Sequence, residues 1–178
     1  MTHTDRSAAE ARFRTVFAHL GAVSAYARRR GSADPEAVGA EVMAVAWRRL
    51  ADVPTDDARP WLFATARNLL LAEWRQRQPL SGGRSSEPEA WPASEPVVLD
   101  PAIAAALRTL SVSDREALLL IAWEDLSPKL AARTLGIGAG AFRVRLHRAR
   151  RRLRDALAQS AQTDTRQPHP AALETENR

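Results

Sequence analysis

Five of the chain's eleven prolines (Pro79, Pro88, Pro92, Pro96 and Pro101) fall between residues 79 and 101, alongside Ser81-Gly82-Gly83 and Ser85-Ser86. Proline removes a backbone donor and glycine adds backbone entropy, so no regular element is expected to run through this stretch. The 178 residues suit one medium domain or two small ones, and the interruption favours two. The expected organisation is a domain at 8–78, a linker at 79–100, a second domain at 101–157 and a polar, disordered tail at 158–178. As a flexible coil the linker spans roughly 25 Å, so the two blocks can sit apart on a shared partner. There is no internal repeat.

Composition points to helix. The chain is 45% hydrophobic and 26% charged, ordinary for a globular protein. Alanine contributes 35 residues and aromatics only 6%, which favours helices and small-residue packing. The expected fold class is all-α: two small helical domains joined by a Pro/Gly/Ser-rich linker, the second ending in a helix-turn-helix. With no cysteine, disulfides, zinc ribbons, iron–sulfur clusters and thiol catalysis are excluded. No run of about 18 apolar residues is present, so no membrane span is expected. The segment from Met1 to Arg14 lacks the apolar core of a secretory signal, and the expected location is cytoplasmic.

The first block reads as three helices. Phe13, Val16, Phe17, Leu20, Val23 and Ala27 recur at helical spacing until Gly31-Ser32 ends the run. Asp34 is positioned as an N-cap before Pro35, opening a second helix to about Leu50. Its apolar residues (Val38, Val42, Met43, Val45, Trp47, Leu50) cover about half the circumference or more, wider than a one-sided stripe. Such a helix meets two surfaces, or simply sits centrally in a bundle. After a loop at Ala51–Arg59, Pro60 can start a third helix. Leu62, Phe63, Ala66, Leu69 and Leu70 define its core side. The opposite side carries Trp61, Asn68 and Arg75, with Ala64, Arg67, Leu71 and Gln78 between them. A tryptophan, an amide and two arginines on one face suit base stacking and phosphate contact; a solvated face with Trp61 tucked into a neighbour fits the same pattern.

The second block reads as a short bundle. Pro101 starts a helix through Ile103, Ala106, Leu107 and Leu110. Ser113-Asp114-Arg115-Glu116 reads as a capping box opening the next. Ser127 caps and Pro128 starts a helix of about eight residues to Leu135, with Gly136 as its C-cap. The last helix is expected from about Ala139 to Leu157. Two helices joined by so short a glycine-containing turn form the geometry that reads DNA.

Charge is unevenly placed. Residues 1–79 carry 12 basic and 9 acidic groups, and 80–100 carry 1 and 4. Residues 101–157 carry 11 and 5, and from Phe142 to Arg154 there are seven arginines and no acid. Seven like charges on a merely solvated helix would repel without relief, so a polyanion is favoured. On a helical wheel Phe142, Leu146, Ala149 and Leu153 point to the core. Opposite lie Val144, His147, Arg148 and Arg151, with Arg143 at the flank. Arg143 and Arg148 suit guanine O6 and N7, and Val144 suits a thymine methyl. Arg145, Arg150, Arg152 and Arg154 lie off that axis and suit phosphates.

Other signals are weak. Gly136-Ile137-Gly138-Ala139-Gly140 suggests a nucleotide loop, yet no strand precedes it and no lysine–serine or lysine–threonine pair follows. His3, His19, His147 and His169 stand isolated, without metal-ligand spacing. No serine sits in a nucleophile elbow. No enzyme active site, metal or cofactor is expected.

The segments Glu41-Val42-Met43-Ala44-Val45-Ala46-Trp47-Arg48 and Pro60-Trp61-Leu62-Phe63-Ala64-Thr65-Ala66-Arg67-Asn68 are similar to the core-binding and promoter-melting region of bacterial RNA polymerase sigma factors of the extracytoplasmic-function type. Leu110-Ser111-Val112-Ser113-Asp114-Arg115-Glu116-Ala117-Leu118-Leu119-Leu120, Leu135-Gly136 and Arg143-Val144-Arg145-Leu146-His147-Arg148-Ala149-Arg150 are similar to that family's C-terminal DNA-reading region. The resemblance covers about 140 residues, in both blocks and in order. It implies that the helix bearing Glu41, Val45, Trp47 and Arg48 docks on the β′ clamp coiled coil of core RNA polymerase. It implies that Trp61, Arg67, Asn68 and Arg75 open and read a −10 element. The last helix (Arg143, Val144, His147, Arg148, Arg151) would read a −35 element, and the linker would thread across the polymerase, including its β subunit. An anti-sigma factor is the further partner implied.

The chain departs from the family pattern at three places. Ala37 stands where an acid is common, which weakens docking. Leu130 replaces a usual glutamate, breaking a capping box with Ser127 and leaving Lys129 near a positive helix end. Gly138 and Ala141 replace hydroxyl residues. Two other function classes fit parts of the pattern. A stand-alone helix-turn-helix regulator would bind palindromic duplex alone. An enzyme with a nucleotide loop at Gly136–Gly140 would require nucleotide affinity.

Overall fold

The computed structural model describes residues 3–77 and 100–166. The expected linker, apart from Asp100, and the last twelve residues of the expected tail lie outside them. Eight α-helices and one short 3-10 turn, with no strand, make up the regular structure of the described residues.

The first half holds four α-helices: α1 His3–Phe17, α2 Leu20–Arg29, α3 Pro35–Arg48 and α4 Arg59–Arg77, with the 3-10 turn Leu50–Asp52 after α3. The single helix expected over Phe13–Ala27 is thus two. At the break, the Ala18 and His19 N–H groups bond the carbonyls of Arg14 and Val16, 3.2 and 3.1 Å away. His19 provides no side-chain cap, and Gly21 just beyond is a poor helix former. The α3 start is as read: Asp34 Oδ1 accepts from the Ala37 N–H at 2.9 Å, with Pro35 at the first position. Val23, Tyr26 and Ala27 of α2, Val42 and Ala46 of α3, and Leu62 and Ala66 of α4 are fully buried. α2 and α3 cross at Gly39, where an added Cβ would run into the Ser24 hydroxyl.

The second half holds α5 Pro101–Thr109, α6 Val112–Ala122, α7 Pro128–Leu135 and α8 Ala139–Arg166. Asp100 caps α5, accepting from the Ala102 N–H at 2.7 Å. The cap of α6 lies two residues before the expected one, because Ser111 accepts from the Asp114 N–H at 3.2 Å. Asp114 and Glu116 are thereby released for other partners. The Arg115 guanidinium takes the role of a C-terminal cap for α5, donating to the carbonyls of Leu107 at 2.9 Å, Arg108 at 3.2 Å and Leu110 at 3.3 Å. Burial, with Arg108 nearby, lowers its pKa. α8 runs to Arg166 rather than Leu157, so the first nine residues of the expected tail are helical. No glycine or proline falls between Ala139's first turn and Arg166 to stop it.

The halves do not sit apart. One continuous apolar cluster contains Val23, Phe63 and Leu70 from the first half and Ala117, Leu120, Ala131 and Phe142 from the second. α4 packs on α7, and the Thr134 hydroxyl donates to the Pro60 carbonyl at 3.4 Å. Beside this contact lies a buried charged cluster. Arg30, 1% exposed, meets Glu116 at 2.9 Å and Glu124 at 3.0 Å, carboxylates that are 3% and 2% exposed. The Tyr26 hydroxyl donates to Glu116 at 2.8 Å. The Arg30 guanidinium lies 3.4 Å above the Tyr26 ring, whose other face stacks on Phe63 at 4.9 Å. Burial lowers the proton affinity of Arg30, but Glu116, Tyr26 and Glu124 more than reverse this and leave its pKa raised. Burial, with Glu116 adjacent, holds the Tyr26 phenol neutral. Arg29 adds a second, half-buried ion pair to Glu124.

Candidate nucleic-acid interface

The α7–α8 turn follows from three residues. Ser127 accepts from the Leu130 N–H at 3.4 Å, so the serine half of the cap persists although Leu130 cannot reciprocate. Pro128 opens α7. Gly136 ends it in the left-handed region at φ 65°, and its N–H returns to the Arg133 carbonyl at 3.2 Å. α8 then leaves with Phe142, Leu146 and Ala149 buried. Arg143, Val144, His147, Arg148 and Arg151 are all exposed, Val144 at 56%. Structure thus brings the five expected residues onto one open face, and a helix of 28 residues extends about 42 Å, longer than a groove contact requires. Arg152 differs from its companions. Its guanidinium pairs with the carboxylate of Asp114 at the start of α6, tying α8 to the bundle. Arg150 lies along an apolar groove lined by Ile103, Leu107, Trp123 and Leu153.

On α4 the expected face is divided. Asn68 and Arg75 are exposed. Trp61 is half-buried, with the Arg49 guanidinium 5.9 Å from its ring centre, a cation–π distance. Arg67 is half-buried, and its charge acts on the buried Tyr26 phenol. Leu71, read as lying on the open side, is buried. The loop before α4 is pinned. Val53 is buried and its carbonyl accepts from the Arg12 guanidinium. Asp57 caps α4 by accepting from the Arg59 N–H at 3.0 Å and grips the Arg59 guanidinium, contacts that lower the Asp57 pKa.

The α3 face is the third region. Glu41 and Arg48 are exposed and bridge each other at 3.1 Å. Val45 is half-buried, and Trp47 is 43% exposed. Trp47 meets Phe13 edge-on at 5.0 Å, and Phe13 meets Phe17 at 5.9 Å. The result is an aromatic shelf with Phe17 48% exposed. Sequence reading placed Phe13 and Phe17 in a core stripe; their i, i+4 spacing, offset from Val16 and Val23, was the available signal. It also missed the Arg30–Glu116–Glu124 cluster. Glu116 read as part of a capping box, and no sequence signal singled out Arg30.

Among the described residues no group of three or more histidines or carboxylates is placed to hold a metal, and no helix is long and apolar enough to cross a membrane.

A family model for sigma-70, region 4, matches residues 101–153. A probable RNA polymerase sigma factor, RfaY, of Xanthomonas campestris pv. campestris is 31% identical over 159 residues. The match takes in 82% of this chain and 40% of that protein, so the chain spans about two-fifths of the relative's length. Among solved structures, the sigma factor RpoE in complex with the anti-sigma factor NepR from Bartonella quintana is 26% identical, with a TM-score of 0.61. That alignment covers 82% of this chain and 95% of the other. CnrH in complex with the cytosolic domain of CnrY shares the fold, at 24% identity and a TM-score of 0.53 over 87% and 89% of the two chains.

Proposed function

Since the chain belongs to the RNA polymerase sigma factors of the extracytoplasmic-function type, we propose that it binds core RNA polymerase and directs it to a specific promoter. The observation that carries this reading is the bipartite likeness: a region 4 match at 101–153 and a likeness to RpoE that takes in the first half as well. The open face of α8 reads the −35 element as duplex through Arg143, Val144, His147, Arg148 and Arg151. Trp61, Arg67, Asn68 and Arg75 of α4 take the −10 element as separated strand, with Trp61 as the stacking surface. Glu41, Val45, Trp47 and Arg48 of α3 dock on the polymerase β′ clamp coiled coil, and the aromatic shelf of Phe13 and Phe17 widens that surface. The chain supplies promoter choice and strand opening in the cytoplasm and carries out no chemistry of its own. An anti-sigma factor as a third partner is supported by the complex in which RpoE was solved.

The test is transcription from a promoter library by core polymerase, with and without the protein. Starts that need the protein and share −35 and −10 sequences sustain the proposal. Specific binding to a palindromic duplex without polymerase, and no dependent starts, replaces it with the stand-alone regulator.

A further inference from the structure

We propose that Arg12 is a positioning residue for the −10 face: from α1 it fixes the loop that leads into α4, and through that loop the ring of Trp61. The use of that face rests on the sigma-factor reading; the hold of Arg12 on the loop does not.

The loop draws little support from its own backbone. Pro54 has no N–H to donate and keeps the residue before it extended, and Val53 stands at φ −71° and ψ 124°. The Val53 side chain is buried, and its N–H returns to the Leu50 carbonyl at 3.3 Å. Its own carbonyl accepts from the half-buried Arg12 guanidinium. A bond from a charged donor is stronger than one between neutral groups, so this contact fixes the point where the chain turns towards α4. Arg12 can act as a strut because α1 is seated close to it. A helix of 15 residues is marginal by itself in water, and Val16 is the one buried side chain among those described in α1. Phe13, adjacent to Arg12, meets Trp47 of α3 edge-on at 5.0 Å. These two contacts hold the last turns of α1 on α3, and Arg12 spans from there to the loop.

Two routes lead from Val53 to Trp61. Asp52, the residue before it, accepts from Arg49 at 2.9 Å through Nε and 2.8 Å through Nη2. The same guanidinium lies 5.9 Å from the Trp61 ring centre, so one cation ties the loop to the ring. Along the chain, Asp57 caps α4 at the Arg59 N–H, two residues before Trp61. A loop that shifts carries the cation and the cap with it. A recognition surface tolerates a displacement of only about 0.5 Å, so a base arriving to stack on Trp61 finds the ring in place only while the loop is held.

Amide hydrogen exchange on the full chain reads the hold itself. Arg12→Ala is expected to speed exchange roughly 10-fold at Asp52, Val53 and Leu62, with α2 and α6 unchanged. Arg6→Ala, which breaks only the exposed pair to Glu10 within α1, is the control and is expected to change nothing at those sites. No change in Arg12→Ala, or the same change in both variants, overturns the strut. For the −10 face, the probe is a single-stranded oligonucleotide carrying the −10 sequence that the promoter library returns, titrated onto the complex of polymerase and protein. Arg12→Ala and Arg49→Ala are each expected to weaken its binding roughly 10-fold. The double variant is expected to be no weaker than either alone, because both interrupt one path. Arg12→Lys keeps a charged donor and is expected to recover part of the loss. Association of Arg12→Ala with core polymerase is expected to match the native protein, which a general loss of folding would not allow. Faster loop exchange with unchanged oligonucleotide affinity overturns the positioning role. If the loop loosens as expected while the native protein starts transcription at no promoter, the sigma-factor reading fails and the strut stands.

Discussion

The arginines at the end of α2 and those along α8 are the same residue in opposite circumstances. Arg30 is 1% exposed between two carboxylates and an aromatic ring. Arg143, Arg148 and Arg151 stand in solvent on a segment where seven arginines have no acid among them. Arg30 has its counter-charges inside the protein, and its field is spent there. Arg143, Arg148 and Arg151 have no such buried counter-charges among the described residues, and their field extends into solvent, where the proposed DNA would supply them. Burial and pairing, rather than residue type, separate an arginine that holds the chain together from one that recognises something.

The largest predicted effect breaks this comparison if it fails. Arg30→Ala leaves Glu116 and Glu124 buried without a cation, and stability in urea denaturation is expected to fall by about 3–5 kcal/mol. Arg148→Ala in the same assay is expected to change stability by no more than about 0.5 kcal/mol. Similar losses in both would mean that α8's open face is structural after all.

The reverse assay sharpens it. Promoter-specific binding by the polymerase complex is expected to weaken by about 1–3 kcal/mol, roughly 10- to 100-fold, for Arg148→Ala or Arg143→Ala, with relaxed preference at the base pair contacted. Arg152→Ala is expected to leave base preference intact, because its guanidinium is held by Asp114. A loss of base preference in that variant would place Arg152 on the DNA.

What could be read from sequence follows the same division. Asp34-Pro35, Ser127-Pro128 and Gly136 mark helix ends through bonds to residues within a turn, so α3, α7 and the start of α8 were legible. The buried side of α8 was legible because Phe142, Leu146 and Ala149 repeat at the helical period. The cap at Ser111 was missed because Ser111 and Ser113 offer the same local chemistry, and packing chose between them. The Arg30–Glu116 pair joins residues 86 apart, and no local period or spacing announces such a contact. Of the α4 face proposed for the −10 element, Asn68 and Arg75 are exposed where the wheel placed them. Arg67 and Leu71 are not, being half-buried and buried on a helix that packs on more than one neighbour.

A milder test concerns the turn that aims α8. Gly136 holds φ 65°, a region that costs a residue with a Cβ about 1 kcal/mol or somewhat more. An added Cβ meets no atom there within 4 Å, so Gly136→Ala measures the backbone alone. Stability is expected to fall by about that amount, with a second, separate loss in −35 binding if the turn shifts the arginine face. Gly138→Ala, with no positive φ and open space around it, is the comparison without backbone strain. As the residue before α8, whose carbonyl accepts from the Phe142 N–H, it is expected to lose only the roughly 0.5 kcal/mol by which alanine is a poorer N-cap.

The smallest stability effect is expected at Glu41. Its bridge to Arg48 spans 3.1 Å between side chains 53% and 60% exposed, a setting in which an ion pair is worth about 0–1 kcal/mol and is weakened further by salt. Glu41→Ala is therefore expected to move the denaturation midpoint barely, whereas Arg30→Ala moves it most. Both are arginine–glutamate pairs, but Arg30 is buried between two carboxylates and over a ring, whereas Arg48 meets one carboxylate in solvent. If α3 docks on polymerase, however, Glu41 loses its solvent on binding, and its charge then counts as a buried one would. Association with core polymerase, measured by titration, is expected to weaken several-fold in Glu41→Ala while the isolated protein keeps its stability. An unchanged association constant would remove Glu41 from the docking surface and leave it to the aromatic shelf of Phe13, Phe17 and Trp47, where Trp47→Ala should then carry the loss.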